Sequence, residues 1–446
     1  MNNRYLFWCT FVAVTGGLLF GLNMAGISGA VNSISDFFNL SDSSIGMVVS
    51  SLMLGCLAGS LTAGLLADKF GRKKLLITTA CLFIVSAAGC ALAQSHWFLI
   101  IFRVIAGLGI GAVSVISPMY ISEIAPVKSR GMLVSYNQFA IVTGILLAYT
   151  VDYFFIELAD GWRYMLGFPF IFSLFFLLML TTKFPESPRW LIALGKIDEA
   201  TQILKKLRQD DISEEIKNIK THSEQKKKKV SYSELFRGRM GKVVLIGTLL
   251  AALQQITGIN AVVNYAPVIF GQTGVGGDTA LLQSMLVGLI NFAFTIIALW
   301  LVDRLGRKTL LLWGTGGMSL SLAFLTWSFT ADGSNIGVLV SLLLYIAFFA
   351  ASLSPVMWVV ISEIYPNRVR GTAMSFSTAV SWGCTFLTVQ FSPWLLNAYG
   401  GAVLFCIFGI FSVMAFLFIK LFITETKGKS LEQIELEMGL KKSTDK

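Results

Sequence analysis

Charge is what this chain has least of. Asp, Glu, Lys and Arg make up 13% of its 446 residues, about half of what soluble domains carry. With 55% hydrophobic residues and a mean hydropathy of +0.72, that scarcity excludes an ordinary soluble enzyme, a disordered chain and a fibrous repeat. Histidine is nearly missing as well. His96 and His222 stand alone, and no His/Cys grouping has metal-ligand spacing. Cys9, Cys56, Cys81, Cys90, Cys384 and Cys406 all lie inside apolar runs, where thiols act as small packing residues rather than disulfide partners. Neither metal nor cofactor is expected. Acids are also missing from the middle of every long apolar run; Glu123, Glu363 and Asp152 lie near the ends.

What the chain does have is apolar runs of membrane length. A bilayer core needs about 20 apolar residues per helix. Such runs fall near 6–28, 44–66, 75–94, 97–121, 134–154 and 163–182, then near 243–269, 282–302, 309–329, 338–361, 372–394 and 402–423. The first starts at Tyr5, after Arg4, and continues past residue 20 with no polar end, so it reads as a retained span rather than a signal peptide. The 41 glycines suit close helix contact. The expected architecture is an all-α membrane protein of twelve transmembrane helices. Residues 1–182 and 243–423 form two six-helix bundles, 183–242 a linker and 424–446 a tail.

Lys and Arg orient the spans. Connections near 29–43, 95–96, 155–161, 270–281, 330–337 and 395–401 contain neither. The alternate connections hold Lys69, Arg72, Lys73 and Lys74, then Lys128 and Arg130, then Arg304, Arg307 and Lys308, then Arg368 and Arg370. Short basic loops stay cytoplasmic, so both termini and the linker are expected on that side of the cell membrane, with Arg163 a mild exception. This distribution accounts for the net charge of +10 through the bilayer and argues against a nucleic-acid partner. No obligatory protein partner is implied.

Within the linker, Ile197, Ala200, Ile203, Leu204 and Leu207 recur at helical spacing, and this amphipathic helix is expected to pack on the cytoplasmic span ends. Lys226 to Lys229 read as a solvated or headgroup-facing run.

Short motifs recur between the halves. Asp68-Lys-Phe-Gly-Arg72 answers Asp303-Arg-Leu-Gly-Arg307. Ser122-Glu123 through Arg130-Gly131 answers Ser362-Glu363 through Arg370-Gly371, and Pro185-Glu186-Ser-Pro-Arg189 answers Thr424-Glu425-Thr-Lys-Gly428. Parallel repeats imply a pseudo-two-fold axis along the membrane normal. Charge sorting alone would explain the bases but needs no acids. Asp68, Arg72, Glu123, Arg130, Glu186, Arg189, Asp303, Arg307, Glu363, Arg370 and Glu425 are therefore expected to pair at the cytoplasmic helix ends and gate that side.

These motifs, with Pro185 to Trp190, Gln254-Gln255-x-x-Gly258-Ile259-Asn260 and Glu425-Thr-Lys-Gly-Lys-Ser-Leu-Glu432, resemble the sugar porter family of the major facilitator superfamily along essentially the whole chain. The resemblance implies the major facilitator fold with a small cytoplasmic helical insert. It further implies sugar contacts at Gln138, Gln254, Gln255, Asn260, Tyr265, Asn291, Trp358 and Trp382, with Phe20 lining the same cavity.

The residue chemistry agrees. Carboxamides offer donors and acceptors to a neutral polyhydroxyl ligand, and Trp faces stack on apolar sugar faces. Gln254 and Gln255 point about 100° apart on a regular helix and converge with Asn260 only if the helix breaks, which Gly258 allows. Taken singly, each amide could equally serve interhelical hydrogen bonding and each Trp interfacial anchoring.

Several positions depart from the family pattern: Asn264 precedes Tyr265, Ser354 precedes Pro355, and Ser381 precedes Trp382. The sugar itself therefore stays unread. Proton-coupled relatives often carry an aspartate in the first span opposite a fourth-span arginine. Here Asn23 stands opposite Arg103, and an amide has no titratable proton at physiological pH. Downhill uniport of a monosaccharide, a hexose foremost, is the expectation, with proton symport the competing reading. Arg103 either meets backbone carbonyls and Asn23 or snorkels outward as an anchor.

A sugar sensor is disfavoured by the short tail. An ATP-driven pump lacks its phosphate loop, since Ile423 stands where the first glycine belongs ahead of Gly428-Lys429-Ser430. A membrane enzyme lacks a nucleophile or acid–base pair in the spans. A drug exporter of the same fold leaves the amide cluster without a purpose.

Overall fold

The computed structural model describes residues 3–126, 129–207, 235–236, 238–330, 335–366, 369–427 and 433. Lys128, Lys226 to Lys229, Arg368 and Gly428-Lys429-Ser430 lie outside the described residues, as do the side chains of Leu299 and Asp303. Among the described residues there are helices and turns and no strand. The first helices are α1 (Asn3–Ala25), α2 (Val31–Phe38), α3 (Asp42–Phe70), α4 (Arg72–Ala91), α5 (His96–Ile124) and α6 (Arg130–Phe155). They are followed by α7 (Gly161–Gly167), α8 (Pro169–Thr181), α9 (Pro188–Ala193) and α10 (Ile197–Leu207). The remainder are α11 (Gly238–Ile256), α12 (Ile259–Gly271), α13 (Gly277–Leu305), α14 (Arg307–Thr330), α15 (Asn335–Ala351), α16 (Leu353–Ile364) and α17 (Arg370–Phe422).

Among the described residues, eleven helical stretches are long and apolar enough to cross a bilayer. The last, α17, has 53 residues, about 80 Å of helix at 1.5 Å per residue against a hydrocarbon core of about 30 Å. Gly400, at φ 79°, interrupts it, so it supplies two crossings and the total is the expected twelve. The helices overrun their apolar windows at the basic ends. Asp68 and Glu123 accordingly sit on the last turns of α3 and α5 rather than on loops.

Prolines lie inside several spans, and each frees a carbonyl because proline has no N–H for the oxygen four residues earlier. Two of those oxygens are taken by buried tyrosines. Pro267 leaves the Val263 carbonyl open, and Tyr149 donates its hydroxyl there at 2.7 Å. Pro393 leaves the Val389 carbonyl open, and Tyr265 donates to it at 3.1 Å. An oxygen without a donor in hydrocarbon surroundings costs several kcal/mol, so a kinked span needs such a partner.

By internal contacts the chain sorts into two units. One comprises Met1–Met24, Gly55–Ile145 and Leu166–Lys229; the other comprises Ala25–Leu54, Leu146–Met165 and Val230–Lys446. Within the second unit, the start of α3, the end of α6 and α2 pack among C-terminal helices. Ser50 donates to Gln390 Oε1 at 2.7 Å, Gln390 Nε2 donates to the Ser43 carbonyl at 3.0 Å, and Asn397 Nδ2 donates to Asp42 at 2.7 Å.

The amphipathic helix forms over the expected residues as α10, with Ala200, Leu204 and Leu207 buried. Part of its apolar stripe is covered by α9, a neighbour the sequence did not single out. Ala200 packs in one cluster with Leu191 and Ile192 of α9, joined by Trp190 and Ile203. The Ser187 hydroxyl caps α9 by accepting from Trp190 N–H, which holds a short apolar helix in place for α10 to cover.

Candidate functional site

The polar cluster forms where two spans break. Gly258 takes the left-handed conformation (φ 96°), where a side chain would be strained and would collide with Phe408, and it separates α11 from α12. Ser352 is non-helical (φ −134°, ψ −84°) and separates α15 from α16. The first break turns Asn260 back toward the end of α11. There Asn260 Nδ2 donates to Gln255 Oε1 at 2.6 Å. Gln255 Nε2 donates to Gln254 Oε1 and to Ser381 Oγ, both at 3.0 Å. Gln254 Nε2 donates to the Leu353 carbonyl at 2.9 Å, on the first residue of α16.

The chain of bonds fixes which groups remain for a ligand. Gln254 is 3% exposed and held between two partners, so it braces the cluster. Gln255 and Asn260 are half-buried, and Asn260 keeps Oδ1 and one amide hydrogen outside the described bonds. A hydroxyl group can donate to that oxygen and accept from that hydrogen at once. Trp358 on α16 and Trp382 on α17 are half-buried, on helices that pack against α11. Asn291 is buried on α13. Tyr265 is buried with its hydroxyl on Val389. Gln138 on α6 and Phe20 on α1, both half-buried, belong to the first unit.

Two members of the cluster were not among the sequence candidates. Ser381 was noted only as a departure, and the Leu353 carbonyl carries no residue-type signal. Asn264, fully buried, donates to the Asn260 carbonyl at 2.7 Å and so steadies the start of α12.

In the first unit Arg103 is 2% exposed and donates to the backbone carbonyl of Asn23 at 3.1 Å. The Asn23 side chain turns back to its own helix, donating to the Leu19 carbonyl at 2.8 Å.

The basic ends show the duplication in three dimensions. Glu186 Oε1 accepts from the backbone N–H of Arg72 at 2.9 Å and Lys73 at 3.2 Å, capping α4. Glu425 accepts likewise from Arg307 at 2.9 Å and Lys308 at 3.0 Å, capping α14. Carboxylates at helix N-termini meet unpaired amides and the positive end of the helix dipole. Burial pushes the Glu425 carboxyl up, but the amides of Lys427, Arg307, Lys308 and Thr309 outweigh it and hold the group below the usual range. Gly71 (φ 92°) and Gly306 (φ 89°) precede the capped helices, and a Cβ at either would run into the capping carboxylate. That accounts for the glycine of the repeated motif.

Arg72 pairs with Glu123 at 2.9 Å and with Asp68 at 3.4 Å, and Arg307 pairs with Glu363 at 3.4 Å. Arg370 Nε donates to the Tyr365 carbonyl at 3.1 Å. These bonds each stay within one half. Arg130 and Arg189 sit at the starts of α6 and α9.

Comparison with known proteins extends this picture. The family described as "Sugar (and other) transporter" matches residues 8–438. The chain belongs to the sugar porter family. It is 39% identical to the D-xylose-proton symporter of Escherichia coli K12, over 97% of this chain and 96% of that one. It is also 39% identical to the arabinose-proton symporter of Bacillus subtilis, over 94% and 92%. Among solved structures, the inward open conformation of the xylose transporter XylE from E. coli matches with a TM-score of 0.86 at 37% identity, over 97% of this chain and all of that one. The molecule is a multi-pass membrane transporter of the major facilitator superfamily and not an enzyme.

Proposed function

We propose that the chain carries a monosaccharide across the cell membrane by alternating access, in symport with protons, with both termini in the cytoplasm. The observation that carries this reading is the 39% identity, over nearly the full length of each chain, to relatives named as proton symporters of xylose and arabinose. The amide cluster of Gln254, Gln255 and Asn260 supports a neutral polyol as cargo, with the two tryptophans as stacking walls. Gln138, Phe20, Asn291 and Tyr265 complete the proposed set of sugar contacts, and the paired acids and bases at the basic ends are the proposed inner gate.

Uniport, the first expectation from the sequence, is the second reading. It is favoured by one observation: Asn23 has no ionisable group and its side chain is tied to the Leu19 carbonyl. The relatives favour symport. Labelled pentose and hexose uptake into proteoliposomes, with and without an imposed pH gradient, separates the two. Accumulation above equilibrium is expected under the gradient; simple equilibration would reject symport. Asn23→Asp places a carboxylate beside Arg103 and is expected to raise the accumulation ratio.

A further inference from the structure

With an amide at position 23, any proton that governs this transporter binds elsewhere. Several acids lie on or near the ends of the spans, Asp42, Asp68, Glu123, Asp152, Asp278 and Glu363 among them. Glu123 is paired with Arg72 at 2.9 Å, and Glu363 faces Arg307 at 3.4 Å and accepts from the Thr426 hydroxyl. Asp152 is different. It lies in the last turn of α6 with no exposed surface. Its Oδ2 accepts from the Gly29 N–H at 2.8 Å, while Oδ1 is buried and meets no hydrogen-bond partner. Among the described residues no base forms an ion pair with it.

Its surroundings offer little to an anion. Tyr149, one turn earlier on the same helix, is fully buried with its hydroxyl on Val263. The turn before α2 contributes Ser28 and Gly29, both uncharged, and the fit is close enough that a Cβ on Gly29 would lie 2.6 Å from the Asp152 Cβ. Arg163 on α7 lies over the rings of Trp162 at 4.2 Å and Phe37 at 5.2 Å. A carboxylate sealed from water without a cation is stable only once a proton neutralises it.

The Asp152–Gly29 bond lies within the first sequence half, one turn of α6 from Tyr149, and it is Tyr149 and Ser50 whose bonds join the two sequence halves at this end. Asp152 holds the α1–α2 turn, Tyr149 holds α12, and Gln390 holds α3 through Ser50. We propose that Asp152 is a proton-binding site that links closure of this end, the one bearing the connections poor in Lys and Arg, to the pH on that side. One proton from the facing solution adds to the carboxylate before closure, on Oδ1, the oxygen without a partner. It returns to solution when the end reopens and water reaches the group. Acid then favours the closed arrangement. The inference rests on alternating access as proposed above, but not on symport.

The test is equilibrium exchange of labelled D-xylose or D-glucose, whichever the wild type exchanges, in proteoliposomes at equal pH on both sides. Wild-type exchange is expected to rise toward acid pH, with a limiting slope of about tenfold per pH unit for one proton. Asp152→Asn stays neutral and keeps an oxygen for Gly29, so its exchange is expected to be independent of pH. A shared pH profile in the two proteins would overturn the proposal. Should Asp152→Asn fail to fold, pH-difference infrared spectroscopy of wild type and Asp152→Glu decides. A carboxylic acid C=O band that titrates and moves with the longer side chain supports the proposal; a band that is absent or does not move sinks it. Loss of gradient-driven accumulation in wild type, with pH-dependent exchange still abolished in Asp152→Asn, would remove symport and leave this inference standing.

Discussion

Tyr149 donates its hydroxyl to the carbonyl of Val263 at 2.7 Å, the oxygen that Pro267 deprives of its helical donor. Tyr265 does the same for Val389 ahead of Pro393. A proline can therefore bend a membrane helix here without stranding a polar atom, because a hydroxyl from another span stands in for the missing amide.

Tyr149→Phe is expected to destabilise the protein by about 1–3 kcal/mol, the cost of leaving a buried acceptor without its donor. In a Pro267→Ala background the helix regains its N–H, and the same change should cost under about 1 kcal/mol. A double-mutant cycle of thermal unfolding in detergent reads the coupling. Equal costs in both backgrounds would rule out this account of the kink.

Sugar recognition should centre on Gln255 and Asn260. Gln255→Ala removes the hub that orients Asn260, and monosaccharide affinity is expected to fall roughly tenfold or more, at about 0.5–1.5 kcal/mol per lost hydrogen bond. Ser381→Ala, which removes one partner of the hub, should cost only a few-fold. Isothermal titration in detergent, with competing sugars, measures both. Unchanged affinity in Gln255→Ala would exclude the cluster as the binding site.

The glycines of the repeated motif should tolerate no side chain. Gly71→Ala adds a Cβ at φ 92° against Glu186, and a loss of about 1–3 kcal/mol in stability is expected together with a drop in transport rate. Gly64→Ala on α3, where a Cβ meets nothing within 4 Å, is the control and should be neutral or slightly stabilising. Comparable losses in the two variants would show that the capping carboxylate is not the cause.

Glu425 sets a pH dependence with a definite sign. Its folded-state carboxyl lies below the ordinary range, so its contribution is complete above the unfolded value of about 4.3 and disappears as pH falls through the lower folded value. The melting temperature of wild type should exceed that of Glu425→Gln at neutral pH, and the difference should shrink toward zero below about pH 4. A difference that grows on acidification would reverse the assignment.

How far the residues alone carried the reading differs between fold and site. Twelve spans could be counted because a bilayer imposes one length on every apolar run, and even the merged α17 divides at Gly400, between the two runs seen near 372–394 and 402–423. The amphipathic stripe of 197–207 located α10 to the residue, yet not its partner, because a stripe specifies a face and not what covers it. The amides Gln254, Gln255 and Asn260 were singled out by the family resemblance, and their convergence followed from the helix break that Gly258 allows. Their bracing by Ser381 and the Leu353 carbonyl was not legible, since those groups come from spans roughly 100 residues away and one of them is plain backbone.

The order of residues along the chain thus settled the membrane environment, the number of crossings and the doubled charge motifs, all of which depend on local composition and period. Folding in three dimensions settled which carbonyl each tyrosine satisfies, that Asn260 turns back onto Gln255, and that Asp152 is sealed against Gly29. Those pairings join positions distant in sequence, and what selects them is the requirement that polar atoms in a dry interior find partners wherever the packed helices bring them together.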